Sequence, residues 1–120
     1  MPQSINQTKF HDELRELIDN YIHSIYDETV HFPSNEQFGV ISQIRRSALS
    51  VMLNYVEGFA RIHNKVVRNF LEISYGSLKE SRYLLYFSYK RKYVKKEKLD
   101  ELEKIGDRIG KMLWGIIEKL

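Results

Sequence analysis

The chain of 120 residues contains no cysteine. Thiol nucleophiles, disulfides and thiolate metal sites are excluded at once, and a reducing, cytoplasmic setting is expected. Proline is nearly absent too, occurring only as Pro2 and Pro33, so long stretches are free of helix-breaking rings. No apolar run approaches the ~18 residues that suggest a membrane span, and none is expected. The N-terminal MPQSINQTKFHDELRE lacks the basic-then-apolar order of a secretory leader. There is no G-x-x-x-x-G-K-S/T loop, no G-x-G-x-x-G and no G-x-S-x-G, so the nucleotide-dependent and serine-hydrolase classes have no support.

What is present describes a folded domain. Hydrophobic residues make up 42% of the chain and charged residues 29%, a balance that argues against disorder. A chain of this length reads as one domain, residues 1–120, and buries roughly two-thirds of the surface its unfolded form exposes.

The pattern along the chain is helical. From about Thr8 to Thr29, apolar residues recur at three and four: Phe10, Leu14, Leu17, Ile18, Tyr21, Ile22 and Ile25. HFPSN (31–35) ends this first helix, because proline disfavours helical geometry in the residue before it. Ser34 and Gln37 have the spacing of a capping box for a second helix reaching about Arg61. RIHN (61–64) is a short link, with Asn64 as N-cap of a third helix from about Lys65 to Arg91. A fourth helix carries Leu99, Leu102, Gly106, Ile109, Leu113, Ile116 and Leu120 in alternating steps of three and four, as in a heptad seam. The expected fold is all-α: an antiparallel up-and-down four-helix bundle with rods of about 30–35 Å.

Helix 2 is unusually apolar. On a helical wheel Ile41, Ile44, Ala48, Val51, Met52, Tyr55 and Phe59 cover one arc. Leu49, Leu53, Val56 and Ala60 widen it to roughly 200°, where a surface helix needs a stripe of ~100° or somewhat more. Such a second apolar shoulder, left in water, marks an interface. Leu49, Leu53 and Val56 are therefore expected to touch another copy of the chain. Arg46, Ser50, Asn54, Glu57 and Arg61 form the polar stripe beside them, either as a solvated face or as a network fixing register across that interface. On helix 3, Ser74, Ser77, Ser81 and Ser88 sit within the apolar face. Small residues there permit close helix packing, and their hydroxyls can bond to the carbonyl four residues earlier.

Charge is concentrated. YKRKYVKKEK (89–98) holds six of the chain's 19 basic residues and one of its 16 acidic residues, leaving 13 basic against 15 acidic elsewhere. In the longer stretch RYLLYFSYKRKYVKKEK (82–98), cations alternate with tyrosines. Arg82, Lys90, Arg91, Lys92, Lys95 and Lys96 can neutralise phosphates, and Tyr83, Tyr86, Tyr89 and Tyr93 offer faces for unpaired bases. The bland account is that the cations compensate a helix C-terminus while the tyrosines lie along the core edge. Metal chemistry is poorly served. Glu28 and His31 give one Glu-x-x-His pair where a di-iron bundle uses two. Glu57 and Glu80 are better explained as ion-pair partners than as a catalytic pair. No catalytic residue, metal or cofactor is expected.

FGVISQIRRSALSVMLNYVEGFAR (38–61), followed by FLEISYGSLKES (70–81), resembles the four-helix-bundle proteins encoded within intervening sequences of bacterial 23S rRNA genes. The matching positions are Phe38, Gly39, Gln43, Arg45, Arg46, Ser50, Asn54, Glu57, Gly58 and Arg61, then Gly76, Ser77, Leu78 and Glu80. Met52 stands where the family often has proline, and Tyr55 and Val56 replace smaller residues. The resemblance implies a bundle assembled as a ring-like homo-oligomer, with a pentamer favoured. It is also distantly similar to accessory proteins of diversity-generating retroelements, basic pentameric bundles that work with a reverse transcriptase and nucleic acid. Residues and resemblance together suggest a non-enzymatic oligomeric binding module whose basic helix 3 end contacts RNA or a nucleic-acid enzyme. The alternative is an assembly protein with a protein partner and no nucleic-acid role.

Overall fold

The three- and four-residue apolar spacing builds four helices: α1 (Ile5–Thr29), α2 (Val40–Phe59), α3 (Asn64–Lys90) and α4 (Lys96–Glu118). This computed structural model describes residues 5–120, so the opening of the stretch read above for a leader lies outside the described residues. Among those residues the structure is all-helical. Neighbours run α1, α2, α3, α4 and back to α1, enclosing one cluster of buried side chains. The bundle measures 47 × 25 × 19 Å.

Each helix buries most of the stripe its sequence marks. On α1, Leu14, Ile18, Tyr21, Ile22 and Ile25 are buried, with Phe10 and Leu17 packed at the edge. On α4, Leu99, Leu102, Ile109 and Leu113 fill the facing side, but the last turn buries Ile117, and the expected seam residues Ile116 and Leu120 are only partly buried at its edge. Gly106 has a specific use there. A methyl group on it would come within 3.2 Å of Arg82 Cδ and 3.3 Å of Arg82 Cγ. The glycine lets the arginine stem lie flat on the α4 backbone.

Three local expectations are corrected. Ser34 and Gln37 do not cap α2. Ser34–Glu36 forms its own 3-10 turn, and α2 starts six residues later at Val40, with Gly39 as N-cap and no side-chain cap bond. Gly39 N–H donates to the Glu36 carbonyl at 3.0 Å, and the Glu36 carboxylate curls over Gly39, 2.6 Å from where a Cβ would stand. Asn64 is the first helical residue of α3, and His63 occupies the N-cap position in extended geometry. Phe59 is not core. It is 41% exposed and packs its ring edge-on to His11, with centroids 4.9 Å apart.

The serines of α3 behave in two ways. Ser88 Oγ donates to the Leu84 carbonyl at 2.7 Å and Ser81 Oγ to the Leu78 carbonyl at 2.8 Å, within their own helix. Ser74 Oγ instead donates across to the Val51 carbonyl of α2 at 2.6 Å, and Ser77 Oγ lies 2.7 Å from Ser50 Oγ. Small side chains allow the α2 and α3 backbones to approach until a hydroxyl bridges them. Gly58 continues the contact, since a Cβ there would meet Phe70 Cβ at 3.2 Å.

Candidate nucleic-acid interface and subunit face

The α3–α4 link gathers the basic residues. α3 ends at Lys90 with Arg91 as C-cap, and Lys92 then adopts a left-handed conformation with φ 69°. Lys92 N–H donates to the Tyr89 carbonyl at 2.9 Å, and Tyr93 N–H donates to the Ser88 carbonyl at 2.8 Å. These are the two bonds of a Schellman motif, in which a left-handed residue lets the chain reverse and satisfies the last carbonyls. Glycine usually fills that position, because a Cβ costs about 1–2 kcal/mol there. Val94 anchors the link in the core at 4% exposure.

Lys90, Arg91, Lys92 and Lys95 are exposed on this turn, and no acidic side chain pairs with them among the described residues. The other members of the set are engaged. Lys96 Nζ lies 2.6 Å from Asp100 Oδ1, a bond that raises its pKa. The Tyr93 hydroxyl donates to Glu36 Oε2 at 2.9 Å, and its ring packs on Phe32 with centroids 5.3 Å apart. That ring braces the turn and has one face covered. Tyr89 is half-buried.

Arg82 stands apart, two turns back along α3. Its Nε and Nη2 donate to Glu103 Oε2 at 3.2 and 2.9 Å, and its side chain is 19% exposed. The bond to Glu103 raises the arginine pKa further. The guanidinium joins α3 to α4 and is not part of the turn.

On α2 the apolar shoulder is outside the core of its own bundle. Leu49 is 38%, Leu53 62% and Val56 54% exposed. The polar stripe is internally bonded. Asn54 Nδ2 donates to the Ser50 carbonyl at 3.0 Å and to Ser50 Oγ at 2.9 Å, and Ser50 meets Ser77. Glu57 pairs with Arg61, whose guanidinium sits 5.1 Å above the Phe70 ring. Arg46 is exposed and, with Leu49, Ser50, Leu53 and Asn54, rims an open hollow of about 480 Å³. Glu57 does not line that hollow.

Arg45 has a role that its place in the motif did not reveal. Its Nε donates to Thr29 Oγ1 at 2.8 Å, and the guanidinium lies 4.5 Å over the Tyr26 ring. Thr29 is itself buried and donates to the Ile25 carbonyl at 2.9 Å. A cation thus closes the C-terminal end of α1, where the helix dipole favours positive charge. Tyr75 and Trp114 were also passed over. Their rings meet at 5.5 Å beside Lys79 on the α3–α4 side. The spacing of Tyr75, Lys79, Arg82, Tyr86 and Lys90 on one helix face was the available signal.

The fold and surface define a class: a four-helix bundle with one apolar flank left open and a cationic helix turn at one end. Within that class, the chain belongs to the 23S rRNA-intervening sequence protein family, whose model matches residues 13–115. Among solved structures it is similar to a protein of unknown function from the S23 ribosomal protein family of Bacteroides thetaiotaomicron. The two share 22% identity with a TM-score of 0.77 over 87% of this chain and 97% of that one. No curated protein matches. Among the described residues, no helix is long and apolar enough to cross a membrane.

Proposed function

We propose that this protein is a non-enzymatic, oligomeric binding module that contacts RNA through the α3–α4 turn. The observation that carries it is the set of four exposed cations, Lys90, Arg91, Lys92 and Lys95, held on a braced turn without acidic partners among the described residues. Other cations of the surface, such as Arg15, Arg61, Arg68 and Arg108, are tied to carboxylates. Unpaired cations need break no ion pair to meet phosphate, and binding releases counterions.

The helices run up and down, which accords with Arg45 near the start of α2 meeting the end of α1 while Tyr55 near its finish meets His11 near the beginning of α1. The Leu49, Leu53 and Val56 flank is the contact between copies, closing a homopentameric ring in the cytoplasm. A ring repeats the cationic turn, so weak contacts act together. An acid–base role for Glu57 draws no support from its pairing with Arg61.

The test is RNA binding across a salt series, with light scattering on the same samples. Binding should fall steeply with salt, by a log–log slope of ~0.7 for each phosphate neutralised on a single strand. The quadruple change of Lys90, Arg91, Lys92 and Lys95 to glutamine should remove most of that slope. A mass near five chains, unaffected by salt, is expected. Failure to bind RNA at low salt, or equal binding by the quadruple variant, overturns the RNA reading. Recovery of one protein partner after nuclease treatment would then favour an assembly role. A monomeric mass overturns the ring.

A further inference from the structure

The α3–α4 side of the bundle carries a feature that the cationic turn does not explain. Trp114 of α4 is 48% exposed, although a tryptophan in water forfeits the burial its ring ordinarily gains. It leans on Tyr75 of α3, with centroids 5.5 Å apart and planes inclined at 46°. The tilt leaves the two rings as adjoining walls instead of a closed stack. The Trp114 indole N–H donates to Glu118 Oε1 at 2.8 Å, which holds the ring in its open orientation. Both rings line a hollow of about 280 Å³ that opens beside their contact, near the lower limit of ~300 Å³ for small-molecule pockets. It suits one planar group. Gly110 forms part of its floor.

Charge around the hollow favours an anion on one side only. Asp107 is neutralised by Lys111 at 3.0 Å, and Glu103 by Arg82. Lys79 has no carboxylate partner among the described residues, and its Nζ lies 5.3 Å from the Tyr75 ring centroid. An aromatic slot with a free ammonium at its lip matches a flat, uncharged ring that bears a phosphate.

The slot is also aligned with the cationic turn. Tyr75, Lys79, Arg82, Tyr86 and Lys90 follow at steps of four, three, four and four, which places them along one face of α3. Tyr86 is 50% exposed between slot and turn. Fifteen residues of helix span about 22 Å, room for a short run of nucleotides at the small end of single-strand sites.

We propose that the Tyr75–Trp114 slot stacks an unpaired nucleobase, with Lys79 on its phosphate, and that α3 carries a single strand from this slot to the Lys90–Lys95 turn. The strand rests on the RNA-binding function proposed above. The slot itself would serve a base in a strand or a free nucleotide equally well, and the experiment separates the two.

Trp114 is the only tryptophan in the chain, so its fluorescence reports directly on the slot. The protein is titrated with a labelled riboadenosine octamer, with the same octamer in a duplex, and with adenosine monophosphate, reading label anisotropy and tryptophan emission together. The single-stranded octamer should quench Trp114 in step with its anisotropy, and the duplex should not. Tyr75→Ala should weaken octamer binding about tenfold, the loss of one stacked base, while Tyr75→Phe retains it. Trp114→Leu, at a half-exposed position, gives the same loss by anisotropy with an unchanged melting curve. Quenching by adenosine monophosphate alone, abolished by Tyr75→Ala and indifferent to the turn lysines, assigns the slot to a free nucleotide. Octamer binding that leaves Trp114 emission and the Tyr75→Ala affinity unchanged overturns the slot and leaves the turn standing. Absence of octamer binding overturns the strand path and the RNA function together. Absence of a response to every probe overturns the slot as well.

Discussion

The hydroxyl of Tyr21 on α1 lies 2.7 Å from Ser81 Oγ on α3, with both groups buried in the bundle. Ser81 already donates to the Leu78 carbonyl, so the tyrosine is the donor of the pair. Burial pushes the Tyr21 pKa far up, which keeps the group a donor throughout the working range. The two single substitutions should therefore differ. Tyr21→Phe removes one neutral hydrogen bond, about 1 kcal/mol. Ser81→Ala strands a buried hydroxyl, about 1–3 kcal/mol. Denaturant melts of both variants and of the double variant check this. The double variant should resemble Tyr21→Phe more than the sum of the two.

Lys92 holds the left-handed position of the α3 cap with φ 69°. Lys92→Gly removes the Cβ penalty there and should stabilise the fold by about 1 kcal/mol. The same change deletes a cation from the turn. RNA affinity should fall while melting temperature rises, with the salt slope reduced by ~0.7. Stability and binding moving together would contradict the turn's assignment.

His11 sits under Phe59 and hydrogen-bonds to the Tyr55 hydroxyl. Burial and the neighbouring Arg15 hold its pKa below the usual histidine value, with Asp12 opposing them. Tyr55, chiefly through burial, is pushed up to about 12. Above pH ~6.5 the ring is neutral in both folded and unfolded chains and its contribution is complete. Below that, the unfolded chain takes up the proton first, and stability is lost until the pH passes the lower folded pKa. Thermal melts from pH 8 to 5 should show this decline beginning near 6.5. In His11→Gln it should be shallower.

Gly106 and Gly115 lie on the same helix yet should respond oppositely to alanine. At Gly115 nothing stands within 4 Å of an added Cβ, so Gly115→Ala should stabilise α4 by up to about 1 kcal/mol. At Gly106 the methyl meets the Arg82 stem. Gly106→Ala should lose that gain by displacing the Arg82–Glu103 bridge. Melting temperatures of the two variants test the contrast.

Leu53 and Val56 point away from their own core. Leu53→Glu places a charge in the proposed contact between copies and costs the isolated bundle little. Light scattering should show a folded monomer with unchanged helix content. An oligomer of undiminished mass would move the contact elsewhere on the surface.

The number of helices, most of their buried positions and the exposed α2 shoulder were legible because each is written in the periodicity of a single helix. The caps were not. Ser34 has capping-box spacing, yet Ser34–Glu36 closes as a separate turn, and the Glu36 side chain accepts from Tyr93 of the α3–α4 link. Arg82 looked like a surface cation because nothing in its own neighbourhood reveals Glu103. Arg45 and Thr29, or Tyr75 and Trp114, meet only because two helices dock in a particular register. Periodicity tells which face is inside. It does not tell which residue stands opposite which.

The short-range bonding between α2 and α3 also sets an order of disassembly. Ser74 reaches the Val51 carbonyl, Ser50 meets Ser77, and Gly58 admits Phe70, all across one pair of helices joined by a brief link. Local opening follows the weakest packing first. Amide exchange should therefore be slowest in the central turns of α2 and α3 and faster in α1 and α4. The last structure to survive, and a natural first one to form, is a two-helix hairpin that already carries both the exposed apolar flank of α2 and the cationic turn's helix.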